Sequence, residues 1–318
     1  MKPNVIYLDQ NQWIFLARAY HNLPEGKKFS AVLEKIQLAS REQRSLFPLS
    51  SAHFIETGKH GDPTSRRRLA QVMAEISRGW SLAPPDYLVP GQIRAVIADI
   101  FNQRKLSPPP ALRRGVAFAF GEHESMHVEM GISANQARRL QEISATPKPL
   151  IEFLVGRNET LRSEAVKDFN RGADTYAKNV EHMRTVGKAF SRAVRKRAYV
   201  ANLTLLLQKE LTAQLILERQ NFDNFLALGT TKLLDFFSRV PCLDIEIELV
   251  TERNENLSKA ISPHDLVDVP FLNVAIPFCD VVVADKYWAD IARRKKLDKK
   301  YDTVILNSLL ELDQFLSV

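Results

Sequence analysis

The sequence predicts an α/β fold: an α/β/α sandwich with a central, mainly parallel sheet, built from both ends of the chain and interrupted by a large, mainly α-helical insert. Two observations predict the sheet. Asn4-Val5-Ile6-Tyr7-Leu8 is an apolar run that ends on Asp9 and passes into a helical pattern from Trp13. Val281-Val282-Val283 is a β-branched run, and Asp285 and Lys286 follow it. Such runs fit strands covered on both faces, as parallel strands are. A third observation predicts the insert: residues 150–240 contain no proline and keep a helical apolar period.

The elements follow in order. After the first strand and helix, Phe29 to Arg41 carries Val32, Leu33 and Ile36 at helical spacing. Ser45 to Ser50 reads as a short strand, and Ser51 begins a helix that holds Glu56. Thr57 to Pro63 reads as a loop by its Gly and Pro content, and Thr64 to Ser77 as a helix opened by Arg66, Arg67 and Arg68. Ile93 to Phe101 is helical, and Ser107-Pro108-Pro109-Pro110 is a stiff connector. Ser191 to Gln220 reads as one long helix, basic in its first half and leucine-rich in its second. Leu243 to Val250 alternates apolar and charged residues and reads as a half-buried strand. Val269 to Ile276 is an apolar helix closed by Pro277; Thr303 to Leu306 is the last strand and Leu309 to Leu316 the last helix. The expected division is a sheet-bearing domain, 1–60 plus 242–318, around an insert, 61–241.

Composition narrows the function classes. Apolar residues make up 45% of the 318 and charged residues 25%, ordinary values for a globular protein. No run approaches the roughly 20 apolar residues of a membrane span, and the first residues hold no apolar run of signal-peptide type, so no secretory leader is expected. Cys242 and Cys279 show neither metal nor redox spacing and are expected to be reduced core thiols of a cytoplasmic protein. With 12 glycines and no Gly-rich phosphate loop, a P-loop NTPase or a dinucleotide-binding dehydrogenase is unsupported. The net charge of +7 is uneven: residues 61–240 hold 27 Lys and Arg against 18 Asp and Glu, the flanks 17 against 19. A basic middle and acidic flanks suit an enzyme with an acidic metal site and a nucleic-acid substrate.

The acids recur at strand ends and helix starts. Asp9 follows the first strand with Asn11 two residues on, Glu56 lies in the helix after the second, and Asp285 follows the Val281 strand with Lys286 next to it. Asp265 and Asp268 precede the Val269 run, and Asp280 stands just before Val281. Ligands of open α/β sheets gather at the carboxyl ends of strands. On Asp9-x-Asn11, Ser51-x-x-x-x-Glu56, Asp265-Leu-Val-Asp268 and Cys279-Asp280-Val-Val-Val-Ala-Asp285-Lys286, the chain resembles the bacterial PIN-like domain nucleases, over residues 1–60 and 242–318. The resemblance implies a metal-dependent endoribonuclease that hydrolyses RNA phosphodiester bonds with Mg²⁺ or Mn²⁺ held by Asp9, Glu56, Asp268 and Asp285. Asn11 would position Asp9, and Lys286 would neutralise a phosphate. Asp265 competes with Asp268 for the ligand position, and Asp280 is a further acid. It also implies an RNA substrate and a toxin or antiviral effector held in check or activated by a partner protein; an oligomer is compatible with it. Arg192, Arg195, Lys196 and Arg197 would offer the insert's basic surface to RNA.

Simpler roles compete. Asp9 or Asn11 can cap the helix near Gln12, Asp268 can cap the Val269 helix, Ser262 to Asp265 resembles a capping box, and Glu56 can be an ordinary helix residue. The basic run can be a solvated face. A PIN-like fold can also serve as a non-catalytic RNA- or protein-binding module. His123-Glu124-Ser125-Met126-His127 fits the H-E-x-x-H pattern of zinc metallopeptidases, but Gly131 would stop its helix and no third ligand stands at a suitable spacing.

Overall fold

The computed structural model describes residues 2–121, 131–156 and 158–316; the HESMH segment, residues 123–127, lies outside them. In chain order the elements begin β1 (Asn4–Leu8), α1 (Gln10–Tyr20), α2 (Ser30–Arg41), β2 (Ser45–Leu46), α3 (Ser51–Lys59), α4 (Pro63–Ser77), β3 (Trp80–Leu82), α5 (Pro85–Asn102) and β4 (Leu112–Arg114). Then come α6 (Ala134–Ser144), α7 (Pro147–Val155), α8 (Glu159–Gly187), α9 (Arg192–Leu206), α10 (Gln208–Leu217), α11 (Phe222–Leu226), α12 (Gly229–Ser238) and α13 (Pro241–Glu255). The chain closes with α14 (Asp265–Phe278), β5 (Val281–Val283), α15 (Lys286–Arg294), α16 (Leu297–Tyr301), β6 (Val304–Leu306) and α17 (Leu309–Phe315). The fold is mostly helical, with a small parallel sheet among the helices.

Two compact units form. The first holds Met1–Pro84, Leu112–Arg171 and Ala275–Val318, and the second Pro85–Ala111 and Gly172–Val274. These bounds differ from the sequence division at 60 and 242. Leu69, Val72, Met73 and Ile76 of α4 and Leu150 and Leu154 of α7 enter the same core as Ile6, Leu8, Val281 and Val283, so residues beyond 60 pack with the sheet.

In the first unit the four strands run parallel in the order β2-β1-β5-β6. Two short strands add to the expected ones. Leu49, just past β2, bridges Ser81 in parallel and exchanges backbone bonds with β3, and β4 pairs antiparallel to β3. The chain therefore winds from β1 outward through β2 to β3, then returns to the other side of β1 with β5 and β6. The order reverses between β1 and β5. Val5 to Leu8 and Val281 to Val283 are all buried, which is why both runs are apolar at every position rather than at alternate ones.

Helices are the only regular elements among the described residues of the second unit. Its clearest departure from expectation is α13: Leu243 to Val250 is helix, not strand. Pro241 sits in the first turn, Asp244 follows it, and Arg253 lies in the last turn, all favourable helix-end positions. Cys242, Leu243, Ile245, Ile247, Leu249 and Val250 are buried on nearly every side, so the apolar period that marks a helix is blurred. The long helix expected from Ser191 to Gln220 is interrupted at Leu207, between α9 and α10. In α14 the helix begins at Asp265 and continues through Pro277 to Phe278. Among the described residues no helix is long and apolar enough to cross a membrane.

Candidate functional site at the carboxyl edge of the sheet

The site grows from the ends of β1 and β5, the two strands that flank the reversal of strand order. Asp9 follows β1 directly. Its backbone N–H donates to the Val283 carbonyl at 2.9 Å, which ties it to the end of β5, two residues before Asp285. Each acid is also the N-cap of the helix it precedes: Asp9 Oδ1 accepts from the Gln10 N–H at 2.7 Å and Asp285 Oδ1 from the Tyr287 N–H at 2.8 Å. The capping role and the placement at the edge are thus properties of the same residues. The helix N-terminal field favours negative charge at both.

Glu56 comes from α3, and a buried histidine sets where α3 sits. His53 is fully enclosed. Its Nδ1 accepts from the Ser50 N–H at 2.9 Å, and its Nε2 lies 2.8 Å from the Leu8 carbonyl. An amide N–H can only donate, so Nδ1 is unprotonated and Nε2 carries the hydrogen given to Leu8. The neutral tautomer therefore joins the first turn of α3 to the last residue of β1. Tyr7 and Trp13 pack on the ring, at centroid distances of 5.3 and 6.2 Å. Burial pushes the imidazole down to about 4, against the hydrogen bond to Leu8. Gln10 adds a second tie, its Nε2 donating to Thr57 Oγ1 at 3.2 Å.

The result is an electrostatically coupled set of acids. Burial pushes the Asp9 carboxyl up to about 6; the Gln10 N–H opposes this and the Asp285 charge adds to it. Burial pushes Glu56 up to about 7, the Asp9 charge adds to this, and Lys59 opposes it. Two neighbouring carboxyls raised this far toward neutral pH are unusual, and such groups gather at functional sites. Among the described residues neither Asp9 nor Glu56 forms an ion pair, and no group of three or more His, Cys, Asp or Glu is arranged to hold a metal ion. No protein-family model matches the chain, and neither does any curated protein or solved structure.

The other expected site residues have the following places. Asp268 lies half-buried in the first turn of α14, in the second unit. Asp265 is buried in the same turn and pairs with Arg253 at 3.2 Å, so it serves the packing of the second unit. Asp280 stands at the amino end of β5, not the carboxyl end, and its Oδ2 accepts from the Val5 N–H at 2.7 Å. Asn11 is exposed on α1, and the bond expected from it to Asp9 comes from the Gln10 backbone instead. Lys286 reaches Asp290 one turn along α15, at 2.7 Å. Three of the four basic residues read as RNA contacts pair with the glutamates of α13: Arg192 with Glu252, Arg195 with Glu255 and Lys196 with Glu248; Arg197 is exposed.

Of the residues that shape this edge, His53 is the hardest to read from sequence. Its only signal is its place three residues after Ser50, where a glutamate would complete a capping box.

Proposed function

We propose that the chain is a PIN-like, metal-dependent endoribonuclease whose centre is the carboxyl edge between β1 and β5. What supports this reading is electrostatic: the Asp285 charge acts on Asp9 and the Asp9 charge on Glu56, and Asp9 follows β1 where the strand order reverses, the place where open α/β sheets bind their ligands. The donor chemistry suits a hard divalent cation: carboxylates, two of them raised toward neutrality by burial and by the charge of a neighbouring acid, which a cation would reverse. Asp9, Asp285 and Glu56 would hold Mg²⁺ or Mn²⁺, which supplies an acidified water and charge neutralisation at phosphorus when bound. Asp9 and Asp285 keep one oxygen each on a helix N–H, which fixes the direction of the other. Glu56, with its carboxyl near 7, can take or release a proton at neutral pH. His53 keeps Glu56 in register with Asp9 through Leu8.

A labelled RNA pool incubated with Mg²⁺, Mn²⁺ or EDTA tests this. Cleavage is expected with either ion and not with EDTA. Asp9→Asn and Asp285→Asn should each lower it by roughly 10²-fold or more, the scale of losing a preorganised electrostatic group, with the fold kept. Cleavage in EDTA, or variants that cut like the wild type, would refute it. RNA bound but never cut would indicate a binding module. Asp268→Asn, measured alongside, decides whether the fourth acid of the family resemblance takes part.

A further inference from the structure

A surface helix buries one face and wets the other. In the second unit the stretch from Leu203 to Leu217 departs from this. Its inner side, with Leu203, Thr204, Leu211 and Leu215, is buried, α9 packing on α13 and α10 on α5. Its outer side is apolar too: Leu205, Leu206, Ile216 and Leu217 are each between 56% and 69% exposed. Helical hydrogen bonding runs on through Leu207, whose N–H donates to the Leu203 carbonyl at 2.9 Å and whose carbonyl accepts from the Leu211 N–H at 2.8 Å. The outer residues of α9 and α10 therefore follow one helical count. Leu206, Lys209, Ala213 and Ile216 are spaced three, four and three apart, the seam pattern of a coiled coil, and Leu205 and Leu217 flank that seam. Single exposed leucines are common on protein surfaces, but a continuous apolar stripe marks an interaction site. A helix apolar on every side is ordinarily covered on every side; within one chain this stretch is covered on one.

We propose that the outer face of α9 and α10 is the interface with a second copy of this chain, the two stripes packed antiparallel about a two-fold axis level with Leu211. In that arrangement the stripe is its own complement. Leu206 lies five residues before Leu211 and Ile216 five after, so each meets the other across the axis. Lys209 lies two before and Ala213 two after, so the lysine stem crosses the smallest side chain of the seam. A two-fold interface requires this exchange, residue i on j and j on i. The axis also gathers charge of both signs. Glu210 borders the seam beside Lys209, so two lysines and two glutamates come together there, each ammonium within about one helical turn of the other copy's carboxylate. In a parallel pair Lys209 would face Lys209. A single polar residue in an apolar seam fixes register and partner number at some cost in stability, which is the part Lys209 plays. The same balance argues against other occupants. An RNA strand or an anionic membrane is drawn by a basic surface, and this stripe offers one lysine beside one glutamate. The pairing does not depend on the reading of the sheet edge.

Sedimentation of the full-length chain across a dilution series tests this. The expected mass is that of two chains, falling toward one on dilution. Lys209→Glu places four acids at the axis and Glu210→Lys four bases, and each should raise the dissociation constant by about tenfold or more. Lys209→Glu with Glu210→Lys exchanges the signs and should return it to the wild-type value, while circular dichroism shows the same helix content in every variant. Cysteines test the register. A chain with Leu206→Cys, mixed with a chain with Ile216→Cys, should form an intermolecular disulfide on mild oxidation. Neither chain should link to itself, because the two copies of position 206 lie about 15 Å apart along the helices. A chain that stays monomeric at every concentration overturns the proposal, even if the face then takes up an RNA oligonucleotide or lipid vesicles. So does a dimer whose affinity neither charge change alters, or one in which Leu206→Cys links to itself.

Discussion

Two rows of acids in this protein have opposite surroundings. On α13, Glu248, Glu252 and Glu255 face Lys196, Arg192 and Arg195 of α9, and Glu246 accepts from Tyr199 Oη at 2.8 Å and Asn273 Nδ2 at 3.2 Å. At the sheet edge, Asp9 and Glu56 have no cation paired with them among the described residues; burial raises both toward neutrality, the Asp285 charge adding to it at Asp9 and the Asp9 charge at Glu56. The first row holds two helices together. The second opposes folding at neutral pH, and a fold keeps such a group only where something other than stability requires it. Acid content alone does not separate the two rows. What separates them is whether the opposing element brings a base.

The comparison is broken most directly at Arg253. This side chain is buried and meets Asp265, the Tyr176 hydroxyl and the Asn254 amide. Burial raises the Asp265 carboxyl and the Arg253 charge opposes that rise. Arg253→Met leaves a buried acid without its base and should cost roughly 3–5 kcal/mol by denaturant titration. Arg253→Met with Asp265→Leu should recover most of it, since removing both charges lifts the desolvation penalty as well. A single variant as stable as the wild type would show that paired acids of the second unit are as dispensable as surface ones.

The edge should behave in the reverse sense. The folded chain holds the Asp9 and Glu56 protons more tightly than the unfolded chain, with carboxyls raised from 3.8 to about 6 and from 4.5 to about 7. Their contribution to stability is therefore complete below about pH 4 and is lost as pH rises through 6 and 7. His53 runs the other way: lowered from 6.5 to about 4, it contributes stability above pH 6.5 that is lost as pH falls toward 4. In EDTA at pH 8, Asp9→Asn should be more stable than the wild type by up to about 3 kcal/mol, with the gap closing toward pH 4. Added Mg²⁺ should stabilise the wild type and not the variant. A destabilised Asp9→Asn at pH 8 would mean that the acid serves as a cap and nothing more.

Much of the sheet edge is legible in the sequence, and the part that is not has a physical reason. The runs at β1 and β5 are readable because parallel strands are covered on both faces, and Asp9 and Asp285 are readable because they end those runs. Glu56 needed more: its place depends on His53 and the Leu8 carbonyl, a tie across 45 residues that leaves no local pattern. β3 and β4 are three residues each, too short for a period to form. The reading of Leu243 to Val250 as a strand failed because burial on most sides of α13 hides the helical repeat, leaving the Asp-Ile-Glu-Ile-Glu alternation as the only visible signal. The same glutamates reassign the basic run. Arg192, Arg195 and Lys196 look like a nucleic-acid surface until α13 supplies their partners.

That reassignment gives the smallest expected effect. Arg192 and Glu252 lie at 2.5 Å, but Arg192 keeps more than half of its side chain in water. Exposed pairs of this kind contribute about 0.2–1 kcal/mol. Arg192→Gln should therefore lower the melting temperature only slightly, and a double-mutant cycle with Glu252→Gln should return a coupling in that range. RNA cleavage and its salt dependence should not change, because a cation already committed to Glu252 releases no counterion from a phosphate. A reduced salt slope in Arg192→Gln would mean that RNA takes the arginine from its glutamate. The basic face of α9 would then be a binding surface, and the contrast between the two rows of acids would no longer separate structure from function.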